Sequence, residues 1–115
     1  MAHDPYLVER LTSLMDEKKA NYITKRMFGG VCFMVDDKMC YAAILNGLMV
    51  RVDIDDVQQL LKRDGVSQMM QKDRPMKSFL LVEEIGFDMD EDLNFWVQKC
   101  LDFNPKAKSS KKRKS

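Results

Sequence analysis

The stretch Arg26-Met27-Phe28-Gly29-Gly30-Val31-Cys32-Phe33-Met34-Val35 constrains this chain more than any other. From Val31 to Val35 every residue is apolar, with Val31, Phe33 and Val35 falling on one face of a strand and Cys32 and Met34 on the other. A short apolar run bounded by turn signals suits a strand buried on both faces. The glycine pair before it marks a bulge or a place where another backbone packs close. A phosphate-cradling loop would need more glycines and a helix opening directly behind them, so that amide groups converge on the anion. Here a strand pattern follows, and the stretch reads as the first core strand pair of a small domain of mixed helices and strands.

The rest of the chain fills in around it. Asp4-Pro5 suits a helix start, because Asp can cap free amides and Pro has no amide to leave unpaired. Leu7, Leu11, Leu14 and Met15 then recur at helical spacing, and the helix should fade near Lys19. Tyr22 and Ile23 lead into the first strand. Asp36-Asp37-Lys38 reads as a turn, Met39 to Leu45 as a strand, Asn46-Gly47 as a hairpin turn and Leu48 to Val52 as the next strand. Asp53 or Asp55 should cap a second helix that carries Val57, Leu60 and Leu61 and ends at Gly65. Val66 to Met76 has no regular pattern, and Asp73-Arg74-Pro75 reads as a turn or loop because Pro75 disfavours helix at Arg74. Phe79 to Val82 is a further strand, broken by Gly86. Asp88 or Asp90 should cap the last helix, whose stripe Met89, Leu93, Trp96, Val97, Cys100 and Leu101 is the clearest helical pattern in the chain. The expected class is α+β: an N-terminal helix, an antiparallel sheet of about four to five strands and two further helices. Phe33 on the sheet and Trp96 on the last helix should both be buried. A sheet of this size has open edges, and a homodimer formed by a sheet edge, or by the apolar surface of Phe79–Val82 and the Met-rich segment before it, is expected.

Charge separates the chain into two parts. Of the 19 basic and 18 acidic side chains, six basic ones lie from residue 106 onward, leaving 13 basic against 18 acidic and a net of −5 before that point. Residues 1–105 therefore read as one acidic domain, and residues 106–115 as a disordered basic tail. Lys106, Lys108, Lys111, Lys112, Arg113 and Lys114 suit sequence-nonspecific contact with phosphate backbones by counterion release, or a solubilising end. No aromatic is interleaved to stack on bases. No run approaches the roughly 20 apolar residues of a membrane span, and no signal peptide is visible. Three cysteines, an odd number, point to buried free thiols in a reducing, cytoplasmic setting. Cys32 and Cys40 would not face each other across a two-residue turn, which pairs an even position with an odd one.

No catalytic, cofactor or metal constellation stands out. The single histidine, His3, sits at the terminus without a nucleophile or orienting partner. Glu83-Glu84 alternates across a strand, and Asp90-Glu91-Asp92 sits where a helix N-terminus favours acids. No Cys-x-x-Cys occurs for a metal. Ten methionines are core filling for the most part, with Met69, Met70 and Met76 outside clean core patterns and suited to an adaptable binding face.

Met27-Phe28-Gly29-Gly30 ahead of a strand, Asp36-Asp37-Lys38-Met39, the strand Leu48 to Val52, and Arg74-Pro75-Met76 ahead of a last strand resemble the N-terminal domain of the TfoX/Sxy family of bacterial competence regulators. The resemblance runs to about Asn104. Ser78 departs from it where members often carry glycine, and the chain ends in a lysine-rich tail in place of a second helical domain. What the resemblance implies is a secretion-chaperone-like α+β fold, no catalytic residues to carry over, and a protein that assists a transcription activator. A non-enzymatic interaction module, accessory to transcription through contacts with an activator or RNA polymerase, is the function expected. The alternatives are weak nucleic-acid binding through the tail and an uncharacterised enzyme.

Overall fold

The computed structural model describes residues 5–27, 29–44 and 47–106. The residues His3, Asp4, Phe28, Leu45, Asn46 and Lys108 to Lys114, named above, lie outside the described residues. Helix α1 spans Pro5–Glu17 and is followed by strands β1 (Ile23–Met27), β2 (Gly30–Val35), β3 (Lys38–Ile44) and β4 (Gly47–Arg51). A 3-10 turn at Ile54–Asp56 runs into the short helix α2 (Val57–Leu60), then come β5 (Val66–Gln71), β6 (Arg74–Val82), a 3-10 turn at Glu84–Gly86, helix α3 (Asp90–Phe103) and a closing 3-10 turn at Asn104–Lys106. The six strands form one antiparallel sheet in the order β1-β2-β3-β4-β6-β5.

The alternation read in β2 holds. Phe33 faces a core cluster with Leu7, Leu11 and Met15 of α1 and Leu93, Trp96, Val97 and Cys100 of α3, while Cys32 and Met34 face a second cluster with Met39, Ala42, Ile44 and Met49. Phe33 and Trp96 are both fully buried. The second cluster is packed by Met69, Phe79 and Leu81. Between Phe33/Tyr41 and Met34/Met39 the register shifts, so Cys40 is an extra residue of β3. That bulge turns Cys40 and Tyr41 toward the same, helix-covered face. Cys32 pairs with Ala42 and lies in the other cluster, so Cys32 and Cys40 occupy opposite faces of the sheet.

Tight turns hold the meander. Asp36 and Asp37 both take positive φ, 54° and 64°, between the paired residues Val35 and Lys38. Both angles positive is the turn whose twist matches that of flanking strands, and Asp tolerates it. Gly47 is not the second turn residue expected of Asn46-Gly47. It pairs with Ile44 as the first residue of β4, with φ 143°. A side chain there would run into the Val82 carbonyl of β6, which explains the glycine by close approach.

Further expectations are corrected. The sheet has six strands, because Val66 to Gln71 pairs along β6. The turn lies at Lys72-Asp73, with Lys72 at φ 58°, and Arg74-Pro75 already belong to β6. Strand β6 is therefore nine residues long and lies between β4 and β5, so Phe79–Val82 is not an edge; the edges are β1 and β5. The last helix opens behind Met89, which makes no side-chain cap bond, and neither Asp88 nor Asp90 occupies the cap; Asp90, Glu91 and Asp92 fill the first turn and complement the helix dipole. Met89 is exposed, whereas Leu93, Trp96, Val97 and Cys100 are buried as read. The second helix is only four residues long, and Asp53 caps the 3-10 turn before it by accepting from the Asp55 amide.

Polar contacts tie the helices down. Arg10 of α1 donates to the Asp88 carbonyl and the Asp90 carboxylate, both at 3.0 Å. Trp96 Nε1 donates to the Gly86 carbonyl at 3.0 Å. Asn104 is buried and its amide donates to the Val35 carbonyl, while Lys38 Nζ reaches the Asn104 carbonyl, so the end of α3 is latched to the β2–β3 hairpin from both sides. Tyr41 stacks on Phe33 with its ring centroid 4.8 Å away, but its hydroxyl is buried without a hydrogen-bond partner among the described residues. A buried, unpaired hydroxyl is unfavourable. Tyr41→Phe should therefore leave stability unchanged or raise it by about 1 kcal/mol, read by urea unfolding.

Candidate interaction surface

The expected motif residues separate into two places. Met27 pairs with Gly30 across the β1–β2 connection, and Gly29 lies in that connection at φ 73°, a conformation glycine adopts without strain. Gly30 is buried, and a Cβ there would overlap the carbonyl oxygen of Ala43 on β3. The two glycines thus do different work, one turning the chain and the other admitting a neighbouring backbone. Arg74, Pro75 and Met76 lie on the far side of the sheet, in the ribbon formed by β5 and β6. The structure does not bring the two motifs together.

The ribbon has an irregular centre. Gln68 pairs with Leu80 and Met70 with Pro75, so β6 carries extra residues between Met76 and Phe79. The Gln68 amide fills the gap, with Nε2 within hydrogen-bond reach of the Met76 carbonyl at 2.8 Å, the Phe79 carbonyl at 3.0 Å and the Met69 carbonyl at 3.3 Å. Sequence reading missed Gln68, although a polar residue two positions after Val66 at an inward strand position was a usable signal. Gln68→Leu should cost about 2 kcal/mol by leaving these carbonyls unpaired, measured by chemical denaturation. Around this centre Met69 and Met76 are half-buried and Met70 is 50% exposed, and Lys72, Arg74 and Lys77 are exposed with no ion pair among the described residues.

Other chemistry is less developed. Among the described residues no group of three or more His, Cys, Asp or Glu side chains gathers to hold a metal. All three thiols are free and buried. Burial pushes the Cys32 thiol up to about 11, and burial, then Cys40 beside it, raises Cys100. Both stay protonated at neutral pH, which removes the nucleophilic form. A cleft of about 460 Å³ opens between α2 and α3, where Arg63 lies 4.1 Å over the Phe95 ring. Two of its three cations are already paired: Arg63 lies 3.6 Å from Asp92 and Lys99 lies 3.4 Å from Asp56, with Lys62 the third.

Residues 15–104, most of the 115-residue chain, match the family described as the TfoX N-terminal domain. The chain belongs to this family. No curated protein and no solved structure matches it. The match to the TfoX N-terminal domain ends at Asn104, the buried residue that latches α3 to the hairpin. It begins at Met15, although α1 supplies Leu7 and Leu11 to the same core. Ser78, the departure from the family pattern, lies in the irregular part of β6 and is not among the positive-φ residues, so its backbone conformation does not require glycine. Its carbonyl accepts from the Val52 amide at 2.8 Å.

Of the six basic residues read as a phosphate contact, the structure places Lys106, which closes the last 3-10 turn with Nζ 3.6 Å from the Asp53 carboxylate. Lys106, the first residue of the expected tail, thus makes an ion pair with the domain. Among the described residues no helix is long and apolar enough to cross a membrane.

Proposed function

We propose that this TfoX N-terminal domain is a non-enzymatic protein-interaction module of the cytoplasm, accessory to transcription, and that it engages its partner through the β5–β6 ribbon. The observation that carries the reading is the composition of that ribbon: half-exposed methionines, which repack readily, flanked by the cations Lys72, Arg74 and Lys77, none of them ion-paired among the described residues, on an otherwise acidic domain. A partner surface that is apolar at its centre and acidic at its rim fits it. Affinity capture from the native host should recover a transcription activator or RNA polymerase, and the Met70→Asp/Arg74→Glu variant should lose it. Recovery of ribosomal proteins or a metabolic enzyme instead would replace this reading.

A second reading rests on the charge separation, and concerns residues 107–115. Their five basic side chains suit duplex DNA with a dissociation constant around 10⁻⁴–10⁻⁶ M at physiological salt and a log–log salt slope near −4.5, at roughly −0.9 per neutralised phosphate. Deleting residues 107–115 should abolish that binding and leave the melting temperature almost unchanged. Binding that survives the deletion would place the contact on the acidic domain.

A further inference from the structure

Strand β1 is the regular edge of this sheet. It pairs residue for residue with β2 from Ile23 to Met27, and the far edge, β5, is interrupted by its register shift. Thr24, Lys25 and Arg26 are exposed, and Ile23 is 56% exposed. An edge of this kind presents backbone groups to an added strand. Its own register fixes the faces: Ile23 and Lys25 lie on the side of Met34 and Cys32, and Thr24 and Arg26 on the helix-covered side with Phe33 and Val31.

Charge is distributed unevenly along it. Lys25 and Arg26, at one end, have no ion pair among the described residues. At the other end Asn21, Tyr22, Ile23 and Met34 line a hollow with the carboxylate-bearing residues Asp36 and Asp37 of the β2–β3 turn. An edge that is cationic at one end and acidic at the other complements an antiparallel copy of itself.

We propose that β1 pairs antiparallel with β1 of a second copy of this chain, with Thr24 on the two-fold axis, to give a continuous twelve-strand sheet. Side-by-side antiparallel strands related by a two-fold axis keep the same face up, so each residue meets one whose number differs from its own by an even count. Three such registers, centred on Thr24, Lys25 or Arg26, retain most of the strand, and with Arg26 on the axis two guanidinium groups face each other. With Lys25 on the axis, two ammonium groups face each other, which is unfavourable. With Thr24 on the axis, the two threonines meet as a favourable cross-strand pair, and Lys25 lies opposite Ile23 of the second copy, beside its Asp36. Arg26 then lies opposite Tyr22, over the groove that Val8, Thr12 and Val31 line beneath α1. The cations that would guard a bare edge against pairing therefore select one register. This inference concerns the edge opposite the ribbon and does not rest on the function proposed above.

Sedimentation equilibrium on the full chain should show a concentration-dependent shift from 13.4 kDa toward twice that mass, weakened by salt. Lys25→Glu should loosen the dimer at least about tenfold, and Lys25→Glu/Asp36→Lys should restore it, with circular dichroism confirming the fold of each variant. Register is read by cross-linking: Thr24→Cys should be trapped as a dimer when diamide takes two electrons and two protons from the facing thiols, and Ile23→Cys, which leaves the cations in place, should not. The unsubstituted chain, with its three buried thiols, sets the background. A monomer at every concentration, a dimer indifferent to Lys25→Glu, or trapping at position 23 in preference to 24 would each overturn the proposal.

Discussion

Trp96→Ala should cost about 3–5 kcal/mol, the range for removing a large aromatic from a close-packed core. Trp96 is fully buried in the cluster that α1, α3 and the sheet share, with its ring edge-on to Phe95 at 5.2 Å between centroids. Its indole N–H also satisfies the Gly86 carbonyl, which orients the turn leading into α3. The substitution removes the ring and leaves that carbonyl unpaired, so cavity and polar terms act in the same direction. Against a total stability of about 5–15 kcal/mol for a domain of this size, the loss should lower the melting temperature by at least ~12 °C. Circular dichroism is the proper probe, because Trp96 is the single tryptophan and its fluorescence disappears with it. Trp96→Phe should cost less, roughly 1–3 kcal/mol, by losing the N–H while keeping most of the ring. An Ala variant that melts within a few degrees of the parent would mean that α3 does not close the core.

Where side-chain periodicity is set by burial, the sequence showed it. The stripe of α3 and the alternation of β2 are each written by apolar side chains on a regular element, and, the exposed Met89 apart, both lie where they were read. Strand β5 was invisible for the opposite reason. It is an edge strand whose pairing shifts at Gln68, so its apolar residues fall out of alternation, and its regularity comes from backbone pairing with β6 that no local pattern records. The helix after Asp53 was overextended because Val57, Leu60 and Leu61 suit a longer stripe, yet the chain leaves helix after Leu60 and turns through Gly65 at φ 80°. Position in the sheet was also out of reach. Phe79–Val82 reads as a short apolar strand wherever it lies, and only the order β4-β6-β5 shows that it is interior. The surface cations Lys25, Lys72 and Arg74 gained meaning in the same way, since their neighbours come from distant parts of the chain.

Gly30→Ala should be strongly destabilising for a single added methyl group, costing roughly 3 kcal/mol, at the upper end of overpacking effects. The added Cβ would overlap the Ala43 carbonyl oxygen and lie 2.9 Å from the Ala43 carbonyl carbon and 3.0 Å from Ile44 Cα, all of them backbone atoms. A flexible side chain could swing aside, but this carbonyl belongs to β3, which is paired on both flanks, so relief requires β2 and β3 to separate locally. Ala43→Gly should not rescue the variant, because the obstacle is the carbonyl and not the methyl group. Gly29→Ala should cost only about 1–2 kcal/mol, the strain of an L-residue at φ 73°, and Gly29→Asn less, since Asn visits that region more readily. Urea unfolding of the three variants therefore orders the two glycines of the family motif by mechanism. If Gly29→Ala proved the worse, the close approach of β2 to β3 would not be what holds the glycine at position 30. The same variant bears on self-pairing, because β1 is held to the sheet only through β2. Loosening that hairpin should release the edge strand and weaken the dimer under conditions where the remaining core is still folded.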